Sequence, residues 1–289
     1  MSIYGTVIAR FRGQFGNQLF QAAAAIALAK ENRCDVYFPD FDNLNAPHLQ
    51  EMNLEKNYRI LFHRIHNTVF RPYPSVVYRE PDFNYHPIPY YRNIEIVGFF
   101  LSEKFFKKYK DVILELYSAP REVEDHLQMH FASLLDHPKT VGVHVRTGYP
   151  DYKKSGFSPQ FYQVYLPPDA EYFKKAIHMF ESDCLFVVFS DHIGWCKEQF
   201  KGIDRNLIFI EGQDYIHDFY LLTKCKHAII ANSSFSWWAA YLNRNPDKKI
   251  ICRRPFIAPY DPLSHPKDII CEDWYPIDMH QVPGMPIFP

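Results

Sequence analysis

Thr140-Val141-Gly142-Val143-His144-Val145-Arg146-Thr147-Gly148 is the stretch on which the fold turns. Residues 141–145 form a short apolar run with one histidine, the pattern of a strand buried on both faces. Arg146 stands at its carboxyl end, and Gly148, Tyr149 and Pro150 supply a turn. In an open α/β sheet, ligands bind outside the carboxyl ends of the strands. An arginine in that place offers a planar fork of donors to a phosphate. Taken alone, the stretch reads better as an ordinary strand closed by a surface arginine. Two further strands that end in polar clusters change that balance.

Downstream, strands and helices alternate. Strand patterns over 185–190, 207–210, 228–231 and 249–252 interleave with helical patterns over 169–180, 193–200, 215–225 and 235–242. Continuous apolar strands separated by helices predict a parallel sheet covered on both faces. Three polar clusters then fall at strand carboxyl ends: His144 with Arg146, Ser190 with Asp191, and Asn232-Ser233-Ser234. Each has a plain structural reading. His144 suits a hydrogen-bonded core histidine, Asp191 a cap for the helix near Ile193, and Ser234 a cap for the helix starting at Phe235. Three on one sheet edge point instead to a nucleotide crevice. There Arg146 suits a diphosphate, and Ser233 and Ser234 offer hydroxyl and backbone donors to phosphate oxygens. Asp191 suits a ribose or a base.

Upstream, residues 4–11 read as a strand, Arg12 to Gln18 as a glycine-bearing turn, and 19–30, rich in Ala and Leu, as a helix. Strand, glycine turn and helix make a common anion-binding arrangement, although the spacing is not that of a dinucleotide fingerprint. Residues 36–38 and 94–99 read as strands, and 105–117 and 120–135 as helices. The stretch 39–92, dense in Pro, His, Tyr and Asn, predicts irregular structure with short helices. It shapes an acceptor pocket or simply packs. His137-Pro138-Lys139 reads as a linker, and the Pro-rich residues from 253 onward as a surface-wrapping tail.

Bulk properties set the class. The 289 residues are 47% hydrophobic and 17% aromatic, which describes a globular chain. Lys plus Arg (32) balances Asp plus Glu (33), so no basic excess points to nucleic acid or a membrane surface. No signal peptide or membrane-spanning run is visible. Cys34, Cys184, Cys196, Cys225, Cys252 and Cys271 lack metal-finger spacing and read as reduced, structural thiols of a cytoplasmic protein.

Four segments carry a family resemblance. Gly13-Gln14-Phe15-Gly16-Asn17-Gln18-Leu19-Phe20-Gln21 resembles the glycine loop of the α-1,2-fucosyltransferases, glycosyltransferase family 11. His144-Val145-Arg146-Thr147-Gly148 resembles their H-x-R-R-G-D motif, and Phe189-Ser190-Asp191 their F-S-D-D motif. Ala231-Asn232-Ser233-Ser234-Phe235-Ser236-Trp237-Trp238 resembles N-S-[ST]-F-S-W-W, the most specific of the four. Residues 98–106 also look like the family segment before the donor domain.

The resemblance implies an α/β, GT-B-like fold: two Rossmann-like domains facing a cleft, with a parallel sheet in the carboxyl-terminal donor domain. The division it implies is 1–138 for the acceptor side, 139–260 for the donor domain and 261–289 for the tail. It implies an inverting transfer of L-fucose from GDP-fucose to a hydroxyl of a galactose-containing oligosaccharide or lipid-linked glycan, in an α-1,2 linkage, with no metal or other cofactor. Arg146 and His144 become the catalytic residues, with Arg146 on the β-phosphate. Ser190, Asp191, Asn232, Ser233, Ser234 and Phe235 line the GDP site, and Gly16 and Asn17 face the fucose and diphosphate. Three departures stand out: Thr147 replaces the second arginine, Asp151 is displaced behind Tyr149-Pro150, and His192 replaces the second aspartate. The acceptor's base is open between Asp151 and Glu103.

Two rivals remain. Asp40-Phe41-Asp42 is a D-x-D triplet able to hold a divalent cation against a diphosphate, as in metal-dependent glycosyltransferases. The other is a non-catalytic carbohydrate- or nucleotide-binding protein.

Overall fold

β-Branched and aromatic runs too short to be helices pair into two parallel sheets. The computed structural model describes residues 5–67, 71–147, 169–257 and 266–279. The first sheet contains β1 (Thr6–Ala9), β2 (Asp35–Tyr37), β3 (Val76–Arg79) and β4 (Ile94–Val97), in the order β2-β1-β4-β3. The second contains β5 (Thr140–Val145), β6 (Leu185–Ser190), β7 (Asn206–Phe209), β8 (His227–Ile230), β9 (Ile250–Arg254) and β10 (Tyr275–Asp278), in the order β10-β9-β8-β5-β6-β7. Every pairing is parallel. The chain runs from β5 outward to β7, then returns to the other side of β5, so the strand order reverses between β5 and β8. Such a reversal opens a crevice at the carboxyl ends.

Two expectations are corrected. The region 39–92 is not wholly irregular, because β3 pairs with β4 from Val76↔Ile94 to Arg79↔Val97. The tail does more than wrap the surface. β10 extends the second sheet beside β9, and Ile269, Cys271 and Trp274 are buried. Both strands have four residues and sit at sheet edges. Their existence depends on partners that local periodicity does not reveal.

Alternation in β5 sorts its side chains by face. Val141, Val143 and Val145 pack against Tyr172, Phe173 and Ile177 of α6 (Ala170–His178). On the other face lie α8 (Tyr215–Lys224) and α9 (Ser234–Leu242), which follow α7 (Ile193–Gln199). Gly142 leaves room there for Leu222, which a Cβ would meet at 2.3 Å. His144 stacks on Phe235 with centroids 5.0 Å apart.

The two sheets share one hydrophobic cluster. It runs from Val7 and Ile94 of the first sheet to Ile230 and Ile250 of the second. The link is α1 (Phe15–Glu31), whose run Ala22 to Ala25 is buried and allows α9 to pack closely. Trp237 and Trp238 belong to this contact. Phe20 lies 4.4 Å from Trp237 and 4.9 Å from Trp238 between ring centroids, and Trp237 Nε1 donates to Ile269 O at 2.6 Å. The tryptophan pair of the motif therefore joins the two halves of the molecule, and Trp237 also lines the cleft between them. A large apolar interface disfavours relative motion.

Gly16 is the tightest point. A Cβ there would lie 2.4 Å from Ser234 C and 2.6 Å from Phe235 N, backbone against backbone. Gly16→Ala is expected to destabilise by about 1–3 kcal/mol, the range of an overpacked core, and to lower Tm by several degrees. A variant that melts with the wild type would show that α1 and α9 do not cross this closely.

Candidate active site

A cleft of about 950 Å³ opens between the sheets. All ten residues assigned to catalysis or donor binding from the sequence line it. Gly16 and Asn17 come from the α1 side. His144 and Arg146 come from the end of β5, Ser190 and Asp191 from the end of β6, and Asn232, Ser233, Ser234 and Phe235 from the β8–α9 turn.

Asp191 decides the local geometry. Its Oδ1 accepts from Thr147 N and Thr147 Oγ1, each at 2.9 Å. Its Oδ2 lies 3.1 Å from Arg146 Nη1. Both carboxylate oxygens are thus engaged by the end of β5, so Asp191 braces Arg146 while also lining the cleft. It is not a helix cap; Ser190 Oγ accepts from His192 N at 3.0 Å. Thr147 uses its hydroxyl in the same cluster, which gives the first departure from the family motif a structural role.

His144 is 6% exposed and its Nδ1 has no partner among the described residues. Burial, reinforced by Arg146 and opposed by Asp191, pushes its pKa down to about 3. The ring is therefore neutral at working pH, a hydrogen-bonding group and not a charged acid. Asn232 Nδ2 donates to Pro255 O at 3.0 Å and to Phe256 O, fixing the β9 exit. Ser233, not Ser234, caps α9, accepting from Phe235 N at 3.3 Å. Helix α1 begins at Phe15, earlier than expected, so Gly16 and Asn17 lie in its first turn.

The structure adds residues that the sequence reading missed. Phe15 packs against Tyr215, Phe219 and Phe235 at centroid distances of 5.7, 4.7 and 5.4 Å. Asp218 lines the cleft beside this cluster, and its Oδ1 is buried without a hydrogen-bond partner among the described residues. Burial, helped by Asp214, raises its pKa to about 7. A buried carboxylate oxygen left unpaired is costly, and with the raised pKa it makes Asp218 a candidate functional residue. Its only sequence signal is an acidic residue in the first turn of a helix, which ordinarily reads as helix-start charge.

A polar chain ties the slot to the other half of the molecule. Tyr215 OH donates to Asn57 Oδ1 and Asn57 Nδ2 to Gln18 Oε1, both at 2.7 Å. Gln18 Nε2 donates to Gly13 O at 3.1 Å and Met52 O at 3.0 Å. Lys56 pairs with Asp214 just before α8.

The D-x-D triplet is employed elsewhere. Asp40 accepts from Phe11 N at 2.7 Å, Asp42 pairs with Arg71 at 3.0 Å and accepts from the Tyr37 hydroxyl, and neither lines the cleft. Glu103 is 6% exposed, pairs with Lys107 at 3.2 Å and is also absent from the cleft wall. Asp151 and the Gly148-Tyr149-Pro150 turn lie outside the described residues. All six cysteines are free thiols. No helix among the described residues is long and apolar enough to cross a membrane.

Two parallel α/β units open on a common cleft, with polar groups at strand ends and helix starts, the arrangement expected of a GT-B-like fold. The chain belongs to glycosyl transferase family 11, whose model matches residues 3–277. It is 27% identical to the O-antigen biosynthesis glycosyltransferase WbnK of Escherichia coli, over 85% of this chain and 93% of that one. It is 29% identical to galactoside alpha-(1,2)-fucosyltransferase 2 of Oryctolagus cuniculus, over 80% of this chain and 65% of the rabbit protein. An alpha-1,2-colitosyltransferase of Escherichia coli is 26% identical over 82% and 87%. Among solved structures, fucosyltransferase NodZ from Bradyrhizobium has a TM-score of 0.45 at 14% identity, covering 82% of this chain and 92% of that one. A glycosyl transferase family 9 protein from Veillonella parvula has a TM-score of 0.48 at 11% identity, covering 98% and 89%.

Proposed function

We propose that this chain transfers L-fucose from GDP-fucose to a hydroxyl of a galactose-containing glycan, free or lipid-linked, with inversion and in an α-1,2 linkage. Family membership and the α-1,2-fucosyltransferase relatives support the sugar and the linkage. The observation that carries the donor is Asp218. Guanine presents two adjacent N–H donors, N1–H and the 2-amino group, whereas uracil offers one and cytosine's ring nitrogen none. A carboxylate with a free oxygen in an aromatic slot matches guanine best, since a site built to receive a hydrogen bond rejects bases that lack it.

In the reaction, the acceptor oxygen bonds to the fucose anomeric carbon as the bond to the β-phosphate oxygen breaks. The acceptor's proton leaves with a base, and the electron pair leaves with GDP. The transition state is oxocarbenium-like, and negative charge grows on the diphosphate. Arg146, oriented by Asp191, and the N–H groups at the start of α9 are placed to stabilise it without reorganisation. Neutral His144 offers a hydrogen bond with no charge to oppose Arg146. No divalent cation is required in this reading, and the six thiols suit a cytoplasmic enzyme.

Calorimetry with GDP, UDP and CMP, and turnover with and without EDTA, test the proposal. GDP is expected to bind tightest, activity to survive EDTA, and Asp40→Asn to change turnover little. Equal binding of UDP removes the fucosyltransferase reading, and loss in EDTA restored by Mn²⁺ favours the D-x-D alternative. Binding without turnover over a panel of galactosides favours the non-catalytic one. The colitosyltransferase relative supports a second reading of the sugar alone. Colitose is fucose without its 3-hydroxyl, so GDP-colitose belongs in the same assay.

A further inference from the structure

Thr147 stands where the family motif has a second arginine, and its N–H and hydroxyl are both held by Asp191. The described end of β5 therefore brings one guanidinium, that of Arg146, to the cleft. A second guanidinium reaches it from elsewhere. Arg253, near the end of β9, is 7% exposed and lines the cleft wall.

Register places it. Val143 pairs with Ile229 and Ile229 with Ile251. Continuing both ladders by two residues puts Val145, Ala231 and Arg253 level across β5, β8 and β9. Neighbouring strands are about 4.8 Å apart, so Arg146 and Arg253 leave the sheet on strands about 10 Å apart. Between them, at the end of β8, lies the start of α9, with the Ser233 cap and the Ser234 and Phe235 amides. An anion at that helix start would meet from below the positive end of α9 and those first N–H groups that the Ser233 cap does not hold, the Phe235 amide being held by Ser233, with a guanidinium on either side.

The two arginines differ in setting. Arg146 is 38% exposed in its side chain and paired with Asp191. Arg253 approaches from the α6 side of the sheet, where Tyr172 and Asp169 also line the cleft. Burial lowers its pKa, and the negative charge of Asp169 opposes that. Asp169 also caps α6, accepting from Glu171 N at 3.0 Å and Tyr172 N at 3.4 Å. Its carboxylate is thus shared with a helix start.

We propose that Arg253 is a second diphosphate-binding residue, holding the leaving group from the β9 side while Arg146 holds it from the β5 side. The inference rests on the nucleotide-sugar reading given above. It gives this chain two guanidiniums on the diphosphate although the strand-end motif carries one, and it draws the second from a strand that no motif marks. Arg253 then neutralises charge that builds during departure of GDP, so that Arg146 need not do so alone.

The test compares GDP with guanosine, which differ only in the diphosphate, by calorimetry on the wild type, Arg253→Gln and Arg253→Lys. Arg253→Gln is expected to weaken GDP binding by about ten- to a hundredfold, the worth of a charge-assisted hydrogen bond, and to leave guanosine binding within about twofold. Arg253→Lys keeps the charge and the buried stem, so it folds where the neutral variant does not. It is expected to lose a smaller part of GDP affinity, again with guanosine unchanged, because it lacks the bidentate fork. Parallel loss of both ligands would show a merely structural arginine that holds α6, and no loss of either would show no contact; each overturns the proposal. Wild-type protein that binds neither ligand overturns the nucleotide reading itself, a result distinct from both.

Discussion

Arg146→Ala is expected to fold normally and to lose at least ~10²–10³ in turnover at saturating donor, the typical cost of one preorganised donor at a developing charge. The residue stands where the leaving group gains charge, so its contribution grows from ground state to transition state. Arg146→Lys should recover only part, because an ammonium lacks the planar fork and its fixed geometry. The 3.1 Å contact with Asp191 sharpens the expectation. Lysine cannot keep that pairing and present a second edge to the diphosphate. Asp191→Asn should therefore lose turnover in the same direction, by less, while keeping the Thr147 contacts. The side chain is over a third exposed, so melting should change little. An Arg146→Ala protein with normal circular dichroism and near wild-type turnover would remove this strand end from the mechanism.

Asp218→Asn is expected to reduce GDP affinity by about a hundredfold, since two hydrogen bonds to an ionised acceptor are weakened together. IDP, which lacks the 2-amino group, provides the control. The wild type should prefer GDP over IDP by about tenfold, and the variant should bind the two alike. The pKa near 7 gives a second signature. The carboxylate form accepts both guanine donors, so GDP binding should be strongest above pH 7 and weaken by up to about tenfold per pH unit below it. The variant should lose that slope.

The sign for stability is opposite. The folded pKa lies above the ordinary carboxylate value of 3.8. The folded state therefore binds this proton more tightly, and stability is lost as pH rises through 7. In ligand-free protein at pH 8, Asp218→Asn should raise Tm while weakening GDP binding, the trade-off of a strained site. If the variant keeps GDP affinity but loses turnover, Asp218 is the acceptor's base and not the reader of guanine.

The sequence by itself was enough for the parallel second sheet, because fully buried strands are continuous apolar runs and their helices repeat at 3.6. It was enough for ten cleft residues as well. Strand ends of a doubly wound sheet converge by topology, so His144, Arg146, Ser190, Asp191 and Asn232 to Phe235 follow once the alternation is seen. What those residues do there was decided by tertiary contacts. Asp191 turns out to be the partner of Arg146 and Thr147, 44 residues away in the case of Thr147. Trp237 and Trp238 turn out to be the seam between the sheets, because Phe20 of α1 and Ile269 of the tail reach them.

β3 and β10 are strands only because β4 and β9 supply a ladder. Asp218 resembled an ordinary helix-start acid. Its function-bearing property is a buried carboxylate oxygen beside an aromatic cluster, to which Phe15 comes from the other half of the molecule. Periodicity and turn chemistry are properties of neighbouring residues, so they are legible in one dimension. Desolvation, pairing and pKa arise from atoms brought together across the chain, and these only the folded structure determines.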